Sequence, residues 1–207
     1  MNLANKLSFF RIVLAPVFLV IYLLPRFYPS LFLNGAAWTV PVLWGIAIVS
    51  EITDYFDGLA ARKLNLTSDF GKLLDPFADT LTQVTFFLCF IIEGIFPAGI
   101  LPVLLFLLVV YREFAILFLR NLMLKKGVAM GARIGGKIKT VMYIIAGAIT
   151  LVAASIERLN LERLDIIRLI LPYIKISALV VFAISVVIAI ISFIDYFLIY
   201  QKTGTAQ

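Results

Sequence analysis

The chain has 207 residues, 63% of them hydrophobic and 14% charged, and carries a net charge of +6. A soluble domain runs about 45–50% apolar, so this composition calls for lipid as the solvent and excludes an ordinary globular enzyme. Histidine is absent and Cys89 is the one cysteine, which excludes Ser-His-Asp and Cys-His catalysis, histidine metal ligation and a disulfide framework.

The first apolar run, "IVLAPVFLVIYLL", lacks a small-residue cleavage site and continues past Arg26 into further apolar sequence, so it reads as a retained helix over 6–25. The runs "TVPVLWGIAIVS", "VTFFLCFIIEGIF", "ILPVLLFLLVVY", "VMYIIAGAITLVAA" and "ISALVVFAISVVIAIISFI" predict further spans over 36–60, 70–93, 99–124, 138–156 and 171–199. With helical continuation each approaches the roughly 20 residues that cross a bilayer. Pro29, Gly35, Gly94, Pro97, Gly127, Gly135 and Gly136 punctuate the connections. Between the last two spans, "SIERLNLERLDIIRLI" alternates charges of both signs with Leu and Ile and reads as an amphipathic segment on the membrane surface. The expected fold is all-α, a polytopic membrane protein with six transmembrane helices. It forms one domain over 1–200, followed by a polar, disordered tail over 201–207.

Lys and Arg mark the cytoplasmic loops of membrane proteins. With the N-terminus inside, the inner face collects Lys6, Arg62, Lys63, Lys72, Lys125, Lys126, Arg133, Lys137, Lys139 and Lys202, and the outer face Arg26, Arg158, Arg163 and Arg168. The positive charge is thereby read as topological rather than as a nucleic-acid surface, with both termini in the cytosol and the chain in the cytoplasmic (inner) membrane.

The stretch "EITDYFDGLAARKLNLTSDFGKLLDPFADT" places Asp54, Asp57, Asp75 and Asp79 across the cytoplasmic ends of the second and third spans. Asp54 and Asp57 are spaced i, i+3, and Asp75 and Asp79 i, i+4, so each pair shares a helix face. Gly58 lies one turn after Asp54 and Gly71 one turn before Asp75, leaving gaps where a bulky ligand can approach the backbone. Four converging carboxylates repel one another and need a cation. With no His or Cys nearby, the donor set indicates Mg²⁺, Mn²⁺ or Ca²⁺, and a pair of ions suits displacement at phosphorus.

Asp54, Asp57, Gly58, Ala61, Arg62, Gly71, Asp75 and Asp79 match every fixed position of D-x2-D-G-x2-A-R-x8-G-x3-D-x3-D, and in this the chain resembles the CDP-alcohol phosphotransferase family of membrane enzymes. The resemblance implies six transmembrane helices, a homodimer and a site for two Mg²⁺ or Mn²⁺ ions open to the cytosol. It further implies that Asp54, Asp57, Asp75 and Asp79 are metal ligands, with Asp79 also the general base. Gly58, Ala61 and Gly71 make room for the CDP moiety, and Arg62 supports it electrostatically.

"NKLSFFRIVLAPVF", "YREFAILFLRNLMLKKG" and "ARIGGKIKT" resemble the bacterial phosphatidylglycerophosphate synthases of that family, which implies CDP-diacylglycerol as donor and glycerol 3-phosphate as acceptor. Arg112 and Arg120 on the fourth span, with Lys137 and Lys139 entering the fifth, offer cations for an acceptor phosphate. Lys137 and Lys139 also fit a role as topological anchors, and Arg112 could instead pair with Glu113 or with an aspartate of the cluster. Ser8 and Arg11 are candidates for the donor phosphates. Thr80 departs from the synthase pattern D-P-x-A-D-K, and a relative using CDP-choline or CDP-ethanolamine with diacylglycerol would keep the same metal site. A membrane prenyltransferase would carry its acidic clusters on well-separated segments of a longer chain. A cation transporter would line several spans with acids, whereas the later spans here offer only Glu93, Glu113 and Asp195.

Overall fold

The computed structural model describes residues 3–32, 36–63, 69–125 and 134–204. Every regular element among them is helical. In chain order these are α1 (Leu3–Phe27), α2 (Thr39–Lys63), α3 (Asp69–Glu93), α4 (Leu101–Lys125), α5 (Ile134–Arg158) and α6 (Asp165–Gly204), with 3₁₀ turns at Pro29–Phe32 and Leu161–Arg163. A helix satisfies its backbone polar groups internally, as a chain without access to water must.

Helices α1, α3, α4, α5 and α6 are each long and apolar enough to cross a bilayer, and the chain is a multi-pass membrane protein. The described part of α2, also expected to span, falls short in hydropathy because Glu51 and Asp54 interrupt its apolar run. Only 33% of the apolar window of α1, α4, α5 and α6 is buried, so most of that surface is turned outward. Phe9, Val13, Leu104, Phe118, Val187 and Ile191 stand exposed on it. Apolar surface of this extent needs a nonaqueous neighbour.

Helix α6 begins at Asp165, inside the segment expected to lie on the membrane surface. The chain leaves α5 through Asn160, whose φ of 52° is left-handed, a conformation Asn tolerates better than most side chains. Asp165 then sits in the first turn of α6, where a carboxylate complements the helix dipole. Ile166, Leu169 and Ile170 of α6 are exposed together with Arg168, and so are Glu162, Arg163 and Leu164 just before it. At the other end α6 continues to Gly204, into the stretch expected to be a disordered tail.

The chain divides into two compact units, the first made of Met1–Ile95 and Leu151–Pro172, the second of Phe96–Thr150 and Tyr173–Gln207. In the first, α1 packs on both α2 and α3. Arg11 meets Asp79, Phe18 meets Phe86 and Tyr22 meets Phe90, all at the same separation of 68 residues, so α1 and α3 run parallel in fixed register. Arg11 also meets Asp54, while Tyr22 and Thr39 share a partner further along, which makes α1 and α2 antiparallel. That shared partner is Arg158, assigned from sequence to the outer loop charges but in fact buried. Its guanidinium donates to the Thr39 hydroxyl at 2.9 Å, the Tyr22 carbonyl at 2.6 Å and the Glu93 carboxylate at 2.7 Å, and lies 4.3 Å from the Tyr22 ring centroid. One side chain thereby ties α1, α2, α3 and α5 at the end away from the aspartates.

In the second unit Phe96 stacks on Phe182 at 5.5 Å. Gly135 of α5 faces Ser192 of α6, where an added Cβ would stand 3.4 Å from that of Ser192, in ordinary van der Waals contact.

Candidate metal centre

The register of α1, α2 and α3 determines which side chains meet at their polar end. Asp75 and Asp79 stack one turn apart on α3, and Asp54 comes from α2. One carboxylate oxygen of each lies within 4.8 Å of the others. Between them sits Arg11 of α1. Its Nη1 donates to Asp54 Oδ1 at 2.7 Å and also to Asp79, and its Nη2 donates to Asp75 Oδ1 at 2.5 Å. The Arg11 side chain is 2% exposed, whereas the three carboxylates are 36–43% exposed. The cluster is therefore open on its carboxylate side and floored by a cation.

These residues fit a divalent ion. The donors are hard oxygens at a mutual spacing that one ion can bridge, and the pocket already gathers a cation by charge-assisted hydrogen bonds. Three carboxylates against one guanidinium leave the described cluster with net negative charge.

Asp57, Gly58, Ala61 and Arg62 lie on α2, and their side-chain positions fall outside the described residues. Gly71 occupies α3 one turn before Asp75, as its spacing predicts. Ser8 is buried one turn before Arg11, and Asn5, which the sequence reading passed over, is buried one turn before that. Together they form a buried polar stripe on a mainly apolar α1, a signal visible as "NKLSFFR" at helical spacing. Thr80, next to Asp79, is also buried.

The second unit holds the remaining candidates. Glu113 Oε1 accepts from Arg112 Nη1 at 2.8 Å and from Lys139 Nζ at 2.8 Å. Arg112 also donates through Nε to the Ala189 carbonyl at 3.1 Å and through Nη2 to Ser192 Oγ at 3.4 Å. Lys139 lies 4.9 Å from the Tyr143 ring centroid. The structure thus joins Arg112 and Lys139 through a carboxylate that sequence had named only as one possible partner of Arg112. Arg120 stands apart from this clamp: its guanidinium is 5.8 Å from the Tyr196 ring centroid, and its Nε is buried with no hydrogen-bond partner among the described residues. Lys137 is exposed.

Comparison with known proteins identifies relatives over nearly the whole length. The family model described as CDP-alcohol phosphatidyltransferase matches residues 1–191. The CDP-diacylglycerol–glycerol-3-phosphate 3-phosphatidyltransferase of Treponema pallidum (strain Nichols) is 32% identical over 202 residues, covering 95% of this chain and 88% of the relative. The protein of the same name from Bacillus subtilis (strain 168) is 37% identical over 147 residues, covering 70% of this chain and 74% of the relative.

Proposed function

Because the chain belongs to the CDP-alcohol phosphatidyltransferase family, we propose that it transfers the phosphatidyl group of CDP-diacylglycerol to glycerol 3-phosphate, giving phosphatidylglycerol phosphate and CMP. The observation that carries this reading is the convergence of Asp54, Asp75 and Asp79 from two helices, with one carboxylate oxygen of each within 4.8 Å of the others, in a chain similar to enzymes named for that donor and acceptor.

In this account Asp54, Asp57, Asp75 and Asp79 hold two Mg²⁺ or Mn²⁺ ions, which when bound supply Lewis-acid stabilisation of the phosphoryl oxygens and of departing CMP. Asp79 accepts the proton of the sn-1 hydroxyl of glycerol 3-phosphate. The hydroxyl oxygen forms its bond to the lipid-side phosphorus as the bond from that phosphorus to the CMP oxygen breaks. Gly58, Ala61 and Gly71 leave space for the nucleotide, with Arg62, Ser8 and Arg11 offering polar contacts to it. Arg112, Arg120, Lys137 and Lys139 attract the acceptor phosphate. Glu113 neutralises only one of the two cations it binds, so the clamp remains positive overall, and Arg120 and Lys137 take no part in it. The diacyl tails of the donor stay in lipid, in keeping with the outward apolar surface. The excess of Lys and Arg in the expected inner loops supports a cytoplasmic-membrane enzyme with its site and termini in the cytosol, and the family resemblance supports a homodimer.

The test is a product assay on purified protein in detergent or nanodiscs. CDP-diacylglycerol, glycerol 3-phosphate and Mg²⁺ should yield CMP and phosphatidylglycerol phosphate, and chelation should stop both. CMP released only with CDP-choline or CDP-ethanolamine plus diacylglycerol would retain the family chemistry and overturn the acceptor.

A further inference from the structure

The guanidinium of Arg11 and a divalent ion would claim the same three carboxylates. Nη1 and Nη2 reach carboxylates of Asp54, Asp75 and Asp79 at once, and these three supply the oxygens that lie within 4.8 Å of one another. Arg11 is the only cation among the described residues seen bonded to all three. A carboxylate oxygen committed to ligating a divalent ion is a poorer acceptor for a neighbouring cation, and two positive groups at such spacing repel. The Arg11 side chain is 2% exposed, so a guanidinium that gives up these partners cannot simply hydrate where it stands, and it needs another anion within reach. A diphosphate at the cluster provides one, and Arg offers it a two-pronged donor fork. Ser8, buried one turn away on the same helix, adds a hydroxyl on that side.

We propose that Arg11 sets the metal affinity of the cluster by cation exchange. It holds the carboxylates until divalent ions take them, and it then turns to the diphosphate of the nucleotide donor. Metal and donor loading are thereby coupled through one side chain, an inference that rests on the reading of the site given above. Nothing covalent changes: charge-assisted hydrogen bonds to carboxylates are exchanged for bonds to phosphate oxygens.

Full-length protein in nanodiscs is titrated with Mn²⁺ alone by calorimetry, and then with CDP at saturating Mn²⁺. Arg11→Gln should tighten Mn²⁺ binding about tenfold, because no bonds between a cation and the carboxylates need be surrendered, and weaken CDP binding by about as much. Arg11→Lys should fall between. A residue that merely supports the fold would weaken both affinities together, and that outcome, or unchanged affinities, overturns the proposal. Wild-type protein that takes up no Mn²⁺, or takes it up equally well after Asp54→Asn, sinks the metal-site reading itself. Should Arg11→Gln not fold, the wild type still decides. With guanidino-¹⁵N-arginine, a resonance absent from Arg11→Lys should shift on Mg²⁺ titration with the calorimetric midpoint, and a static spectrum contradicts the exchange.

Discussion

Asp79→Asn is expected to lower the rate of CMP release by about a thousandfold or more, while the protein still inserts and purifies as a folded species. The asymmetry follows from the geometry. Asn occupies nearly the same volume on α3, so packing against α1 is undisturbed, and Arg11 keeps its bonds to Asp54 and Asp75 at 2.7 and 2.5 Å. Removing one of several mutually repelling carboxylates does not by itself weaken the fold. What is lost is a group able to accept a proton from the attacking hydroxyl, together with one ligand oxygen of the cluster. Initial rates with saturating substrates, compared with the thermal unfolding midpoint of the same preparation, separate the two effects. A variant that turns over within tenfold of the wild type would remove Asp79 from both roles.

Glu113→Gln should instead act on stability, lowering the unfolding free energy by about 3 kcal/mol or more. Glu113, Arg112 and Lys139 have side-chain exposures of 5%, 6% and 9%, so none of the three charges is appreciably hydrated. With the carboxylate replaced by an amide, two buried cations on α4 and α5 lose their shared counter-charge and repel across a medium of low dielectric. The amide oxygen can accept one of the two bonds but cannot supply the charge. Equilibrium unfolding in mixed micelles measures the difference, and Glu113→Asp, shorter but still charged, should lose less. An unfolding curve superimposable on the wild type would show that Arg112 and Lys139 do not depend on Glu113.

The two halves of the account were unequally legible in the sequence. Apolar runs that approach about 20 residues with helical continuation placed the six helices in order, because lipid imposes a length and a composition that one dimension records. Helix α2, interrupted by its acids, meets that composition least well. The aspartate register was equally plain: i, i+3 and i, i+4 spacings fix which carboxylates share a face, and the structure brings Asp54, Asp75 and Asp79 together. Long-range pairings left no such trace. Lys139 finds Glu113 from another helix, and Arg158 reaches back to Tyr22, Thr39 and Glu93; nothing in the local pattern around either residue names its partner. Arg158 was assigned to a loop because it follows an apolar run, yet it closes α5 pointing inward. Arg11 lay between these cases. A lone arginine in the first span was visible as a candidate phosphate contact, but its place among three carboxylates depends on the parallel register of α1 and α3.

The most direct measurement is the anomalous diffraction of Mn²⁺ in crystals of the protein grown with CDP. The account predicts Mn²⁺ peaks within roughly 2.2 Å of carboxylate oxygens of Asp54, Asp75 and Asp79, with the nucleotide diphosphate on the same ions. Ordered nucleotide with no metal at these aspartates, or Mn²⁺ bound only elsewhere, would contradict it.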